Sequence, residues 1–155
     1  MLTISDYHIQ EQLYESAHSL IYRGRRETDN QPVVLKVLKK EYPTPKELAR
    51  FRQEYEITRS LNPLRDSGQG IDEVIQVYAL EPYKNSLVIV LEDFGGESLT
   101  RLLPDRTLEL SEFLRLTIRI TDILGAIHHR NIMHMDINPS NIVWDPESDE
   151  LKIID

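Results

Sequence analysis

The chain has 155 residues, of which 40% are apolar and 28% charged, enough for one hydrophobic core of ordinary size. Its net charge of -8 excludes a general binder of nucleic acid or of anionic membranes, since both require a basic face. With no cysteine there is no disulfide framework, no thiolate zinc site and no cysteine nucleophile.

The first ten residues carry Asp6, His8 and Gln10 where a signal peptide needs an apolar stretch. The longest apolar run, residues 87–91, is far short of the ~20 residues that a membrane helix requires. A cytoplasmic protein without a membrane partner is therefore expected.

In chain order, residues 7–14, 19–27 and 32–39 read as three strands, with the turn-prone Thr28-Asp29-Asn30 before the third. Arg23, Arg25 and Arg26 in the second read as a solvated basic run. Residues 33–38 are apolar on both alternating faces except at Lys36, which places that ammonium on a strand buried on at least one side. A helix then starts with Thr44 as cap, Pro45 at the first helical position and Glu47 completing a capping box. It runs to about Leu61, before Pro63. Leu48, Phe51 and Tyr55 form one apolar edge, Ile57 and Leu61 a second, and Glu54 falls between them, pointing inward.

A polar loop with Gly68 and Gly70 leads to strands over 74–80 and 86–92, joined at residues 82–85. After Gly95-Gly96 the pattern predicts a short helix over 97–103, broken by Pro104. Ser111 is the expected cap of a long helix reaching about Arg130. Its main stripe is Phe113, Leu116, Ile120, Ile123, Leu124 and Ile127, and Leu114 and Ile118 add a second strip beside Gly125, where a neighbour could approach. A loop and two short strands, 142–144 and 151–154, complete the chain around a turn at residues 145–149. A helix apolar on two sides with so little chain left to cover it, and a stop directly after a strand, read as a truncated domain.

Four separated features carry chemistry. Lys36, buried on its strand, needs an anionic partner, and the inward-facing Glu54 is the natural one. Residues 87–99, a strand emerging into Glu-Asp-Phe and then Gly-Gly, offer a backbone edge that can hydrogen-bond a planar base. In His134-Met135-Asp136-Ile137-Asn138-Pro139-Ser140-Asn141, Asp136 can accept a proton from an attacking hydroxyl, and Asn141 offers a neutral oxygen suited to magnesium. His134 reads as a packing and hydrogen-bonding anchor. Asp155, closing L-K-I-I-D, could supply a second magnesium ligand. The three histidines at 128, 129 and 134 make a poor metal site, since the first two are adjacent on a helix and diverge. No Walker-type phosphate loop is present.

In this order the residues resemble the eukaryotic-type serine/threonine protein kinases, over the whole chain. The resemblance implies an α+β fold. Residues 1–92 would form an ATP-binding N-lobe, an antiparallel five-stranded sheet with one helix. Residues 93–155 would form the hinge and the first, mainly helical part of the C-lobe, stopping at the first residue of the magnesium motif. It implies that Lys36 contacts the phosphates of ATP and pairs with Glu54, and that Leu13, Ile21 and Val34 cover the base. Leu91 would line the back of the adenine pocket, with Glu92 and Phe94 bonding adenine through their backbones. Asp136 would be the catalytic carboxylate, while Asn141 and Asp155 would hold Mg2+. The implied partners are a protein substrate and the rest of a longer polypeptide. The D-I-N-P-S-N-I stretch also looks like that of large bacterial hybrid proteins, in which a serine/threonine kinase domain precedes an ATPase module and a sensor histidine kinase.

Five positions depart from that pattern. Tyr14, Ser16 and Ser19 stand where the glycines of the phosphate loop belong. Met135 replaces the arginine before the catalytic aspartate, and Asn138 replaces a lysine two residues after it. Two other readings follow: a pseudokinase that senses nucleotide without turnover, and a small-molecule phosphotransferase of the aminoglycoside or choline kinase type, which also uses an H-x-D-x-x-x-x-N loop. The 155 residues alone are expected to bind ATP weakly and to phosphorylate nothing.

Overall fold

The computed structural model describes residues 4–62 and 70–154. Gly68 and Asp155 lie outside the described residues. Two compact units are present, one made of residues 1–59 and 76–94, the other of residues 60–75 and 95–155. The division after residue 92 read from sequence thus becomes an interleaved one, because residues 60–75 group with the second unit.

The first unit is a five-stranded antiparallel sheet, β1 (Tyr7–Glu15), β2 (Ser19–Arg26), β3 (Pro32–Leu38), β4 (Val77–Tyr83) and β5 (Ser86–Glu92), in the order β1-β2-β3-β5-β4. Helix α1 (Pro45–Leu61) follows β3. Alternation divides β3 cleanly. Val33, Leu35 and Val37 join Val88 and Val90 in one cluster, and Lys36 points to the opposite face. On that face Phe51 and Tyr55 of α1 pack with Val77, Leu87 and Ile89. The second apolar edge expected on α1 is only half realised: Leu61 is buried, but Ile57 is exposed. The start of α1 is the anticipated capping box. Glu47 N–H donates to Thr44 Oγ1 at 3.3 Å, and Thr44 N–H donates to Glu47 Oε2 at 2.8 Å. A bond from Lys40, then those from Thr44, hold the Glu47 carboxyl at about 2, so the cap stays charged across the ordinary carboxylate range.

At Gly24 of β2 the backbone of β1 lies close by. A Cβ there would lie 2.7 Å from the backbone oxygen of His8, a contact that only strand displacement can relieve. Gly24→Ala should therefore destabilise the sheet by about 1–3 kcal/mol, as overpacking does. Urea unfolding measures this, and a wild-type midpoint would show that the strands part at no cost.

The second unit is built on α3 (Leu110–His128), preceded by β6 (Glu97–Ser98) and α2 (Leu99–Leu102) and followed by β7 (Ile142–Asp145) and β8 (Glu150–Ile153). The three strands form a small antiparallel sheet in the order β6-β7-β8. Leu116, Ile123 and Ile127 of α3 close a core with Leu99, Ile142, Trp144, Leu151 and Ile153, joined by Leu61, Ile71 and Val74. Trp144 is held at both ends, its Nε1–H donating to Asp149 Oδ1 at 3.2 Å and the Arg106 guanidinium stacked 4.9 Å from its ring centre.

Several expectations for this unit are corrected. The short helix over 97–103 is a two-residue strand followed by a single turn, because Glu97 and Ser98 pair with Trp144 and Val143. Ser111 lies inside α3; the cap is Glu109, whose side chain makes no capping bond, and the helix ends at His128. Phe113, placed on the main stripe, is exposed, whereas the exposure of Leu114 and Ile118 agrees with a second strip that little of this sequence could cover. Apart from the backbone of its own helix and its chain neighbours, nothing among the described residues lies within 4 Å of an added Cβ at Gly125, so the close approach that was possible there is not made.

Candidate functional site

In the first unit the sheet register determines which candidates share a face. Ile21 pairs with Lys36, and Val34 pairs with Leu91. Strand alternation then puts Ile21, Val34, Leu91 and Lys36 on one side of the sheet, the side that α1 covers in part. Those three aliphatic residues are half-buried, as is Leu13, which sits at an irregularity in the β1–β2 pairing. Lys36 and Glu54 meet as an ion pair, Nζ to Oε1 at 2.7 Å, with side-chain exposures of 8% and 30%. The helix periodicity that turned Glu54 inward is what makes the pair.

Glu92 ends β5. Its N–H donates to Gln76 O at 3.0 Å, and its Oε1 accepts from Gln76 N–H at 2.7 Å. Phe94, two residues on, is half-buried and closes the first unit. Between them Asp93 takes part in a contact that the sequence did not reveal. Arg23 Nε–H donates to Asp93 Oδ2 at 2.7 Å, and its NH1 donates to Glu11 Oε1 at 3.0 Å. Burial works against the Arg23 charge, but Asp93 and then Glu11 outweigh it and hold the guanidinium more firmly protonated. The basic run is therefore not simply solvated: Arg25 donates to Asn30 O, and Arg26 pairs with Asp29. The missed signal was Arg23's place on the same strand face as Ile21, two residues away.

In the second unit the loop between α3 and β7 brings Asp136 and Asn141 together. Asn141 is buried, and its Nδ2 donates to Asp136 O at 2.9 Å and to Asp136 Oδ2 at 3.2 Å. Asp136 itself is exposed. His134 is the anchor expected of it: Nε2–H donates to Ile154 O at 3.0 Å, and Nδ1 accepts the Asp136 N–H at 3.4 Å. Asn138 caps the 3-10 turn Pro139–Asn141 by accepting the Ser140 N–H at 2.8 Å, and it donates to Asp136 O at 3.2 Å. Met135 has a left-handed backbone, φ 60°, and is 87% exposed. His128 and His129 do not join His134, and no three His, Asp or Glu side chains among the described residues cluster as a metal site would.

The sequence profile described as a protein kinase domain matches residues 7–155. The chain belongs to the protein kinase domain family. Among curated relatives, a probable casein kinase I homolog of Encephalitozoon cuniculi is 30% identical over 154 residues, covering 98% of this chain and 47% of that protein. The serine/threonine-protein kinase TIO of Arabidopsis thaliana is 28% identical over 142 residues, covering 90% of this chain and 10% of its own length. The casein kinase II subunit alpha' of Saccharomyces cerevisiae is 26% identical over 154 residues, covering 98% of this chain and 41% of the relative. The kinase chain thus spans from a tenth to about half of these relatives. Its five-stranded antiparallel sheet with one helix and the helical start of the second unit fit the α+β fold of that family. No helix among its described residues is long and apolar enough to cross a membrane.

Proposed function

We propose that this kinase domain serves a protein serine/threonine kinase that transfers the γ-phosphoryl group of ATP to a protein hydroxyl. The observation that carries the reading is the Lys36–Glu54 pair at 2.7 Å, a buried ammonium fixed by a helix carboxylate on the sheet face that bears Ile21, Val34 and Leu91. Lys36 would hold phosphate oxygens, and Leu13, Ile21, Val34 and Leu91 would enclose the base. Glu92 and Phe94 would bond adenine through their backbones.

Asp136 would orient the acceptor hydroxyl and take its proton, positioning being most of what phosphoryl transfer asks of a protein. The donor set suits magnesium. Asn141 spends its Nδ2 hydrogens on Asp136, so Oδ1 is the side-chain atom that would meet a cation. A single neutral oxygen with one carboxylate is the sparse set typical of an ion shared with phosphate oxygens. Asn141 would hold the ion, with Asp155 as the second candidate, and the ion would neutralise charge on the phosphates. A cytoplasmic setting, where ATP is available, and a protein substrate belong to the same proposal. Phosphate incorporation by the full-length protein, compared with Asp136→Ala, tests it; equal incorporation by both rejects the role of Asp136.

A nucleotide-sensing module without turnover is the second reading. It is favoured by Asn138, whose side chain is committed to capping Ser140 where a lysine would face the transferring phosphate. Tight ATP binding with no incorporation would select it.

A further inference from the structure

The tip of the β1–β2 hairpin is closed by one side chain. Ser16 Oγ accepts the Ser19 N–H at 2.9 Å and the His18 N–H at 3.2 Å. Its own hydrogen has two acceptors in reach, Ser19 O at 3.2 Å and Ser19 Oγ at 3.0 Å. The backbone reinforces the closure, since Ser16 N–H donates to Ser19 O at 2.9 Å and Lys39 N–H donates to His18 O at 2.8 Å. Glu15, beside this turn, is neutralised by its ion pair with Lys39, which holds the Glu15 carboxyl below its usual range.

Successive backbone N–H groups at a turn form a concavity that can bind a phosphate anion, alongside a lysine such as Lys36. Here two of them already have an acceptor. The geometry points to Ser16 as an internal competitor that sets the affinity for nucleotide phosphates: its hydroxyl occupies the His18 and Ser19 amides that a triphosphate would use. This rests on the nucleotide reading given above. A phosphate oxygen makes the stronger, charge-assisted bond, so the hydroxyl weakens binding without abolishing it. Glycine at this position would lack the competitor; the serine adds a rival acceptor as well as removing backbone freedom.

Ser16→Ala removes the hydroxyl and adds no conformational freedom, while Ser16→Thr keeps the hydroxyl. Titrating MgATP calorimetrically into the full-length protein should show Ser16→Ala binding about tenfold tighter, the worth of two neutral hydrogen bonds released from competition. Ser16→Thr should bind like the wild type. Without nucleotide, the His18 and Ser19 amides should exchange with solvent deuterium faster in Ser16→Ala alone. Equal or weaker MgATP affinity in Ser16→Ala, or unchanged exchange at both amides, overturns the inference and leaves the kinase reading intact. Absence of MgATP binding in all three proteins rejects the nucleotide reading and this inference with it.

Discussion

Asp136→Ala should lower phosphate incorporation by the full-length kinase by about 10²–10⁴-fold, the usual worth of a positioned general base. Its unfolding midpoint should barely move. The reason lies in which atoms of Asp136 hold the loop. The backbone carbonyl receives the Nδ2 groups of both Asn138 and Asn141, and the backbone N–H reaches His134 Nδ1. All three bonds survive truncation to alanine. The side chain is exposed and makes one described bond, to Asn141 at 3.2 Å. A large loss of turnover without a loss of stability therefore assigns the carboxylate to the reaction, whereas a parallel fall in both would mean that the side chain holds the loop together. Retained turnover would remove Asp136 from the mechanism altogether.

What the sequence made legible were features whose cause is local. The capping box of Thr44 and Glu47 follows from residue types at a fixed spacing, and the structure forms both of its bonds. The inward turn of Glu54 follows from helical periodicity, and the side of Lys36 from strand alternation; their meeting required only that α1 lie on that side of the sheet. Asp136 and Asn141 were legible for the same reason, being five residues apart in one loop.

Features that depend on distant pairing were not legible. Glu97 and Ser98 become a strand because Trp144 and Val143 arrive beside them, which no local pattern announces. Arg23 reaches Asp93 across the sheet, a separation of 70 residues. Periodicity could identify two apolar edges on α1 but not which residues would find neighbours, and Ile57 found none sufficient to bury it. Ser16 illustrates a subtler limit. The sequence marks it as a missing glycine, yet the consequence lies in an oxygen that bonds two amides.

The second large effect is expected at Lys36. Lys36→Met should lower phosphate incorporation by about 10²–10³-fold, the scale on which removing one preorganised electrostatic contact acts. Stability should stay close to the wild type, because methionine fills a similar volume without a charge to bury, and Glu54, 30% exposed, can turn to water. Glu54→Gln should behave differently. It takes the carboxylate from an ammonium that is only 8% exposed, and should destabilise the fold by about 1–3 kcal/mol in chemical denaturation while also lowering turnover. The double variant separates the two roles. Combining Lys36→Met with Glu54→Gln removes the buried charge together with its partner, so stability should return towards the wild type while turnover stays lost. Turnover recovering along with stability would mean that the pair serves only the packing of α1 on the sheet, and that some other cation meets the phosphates.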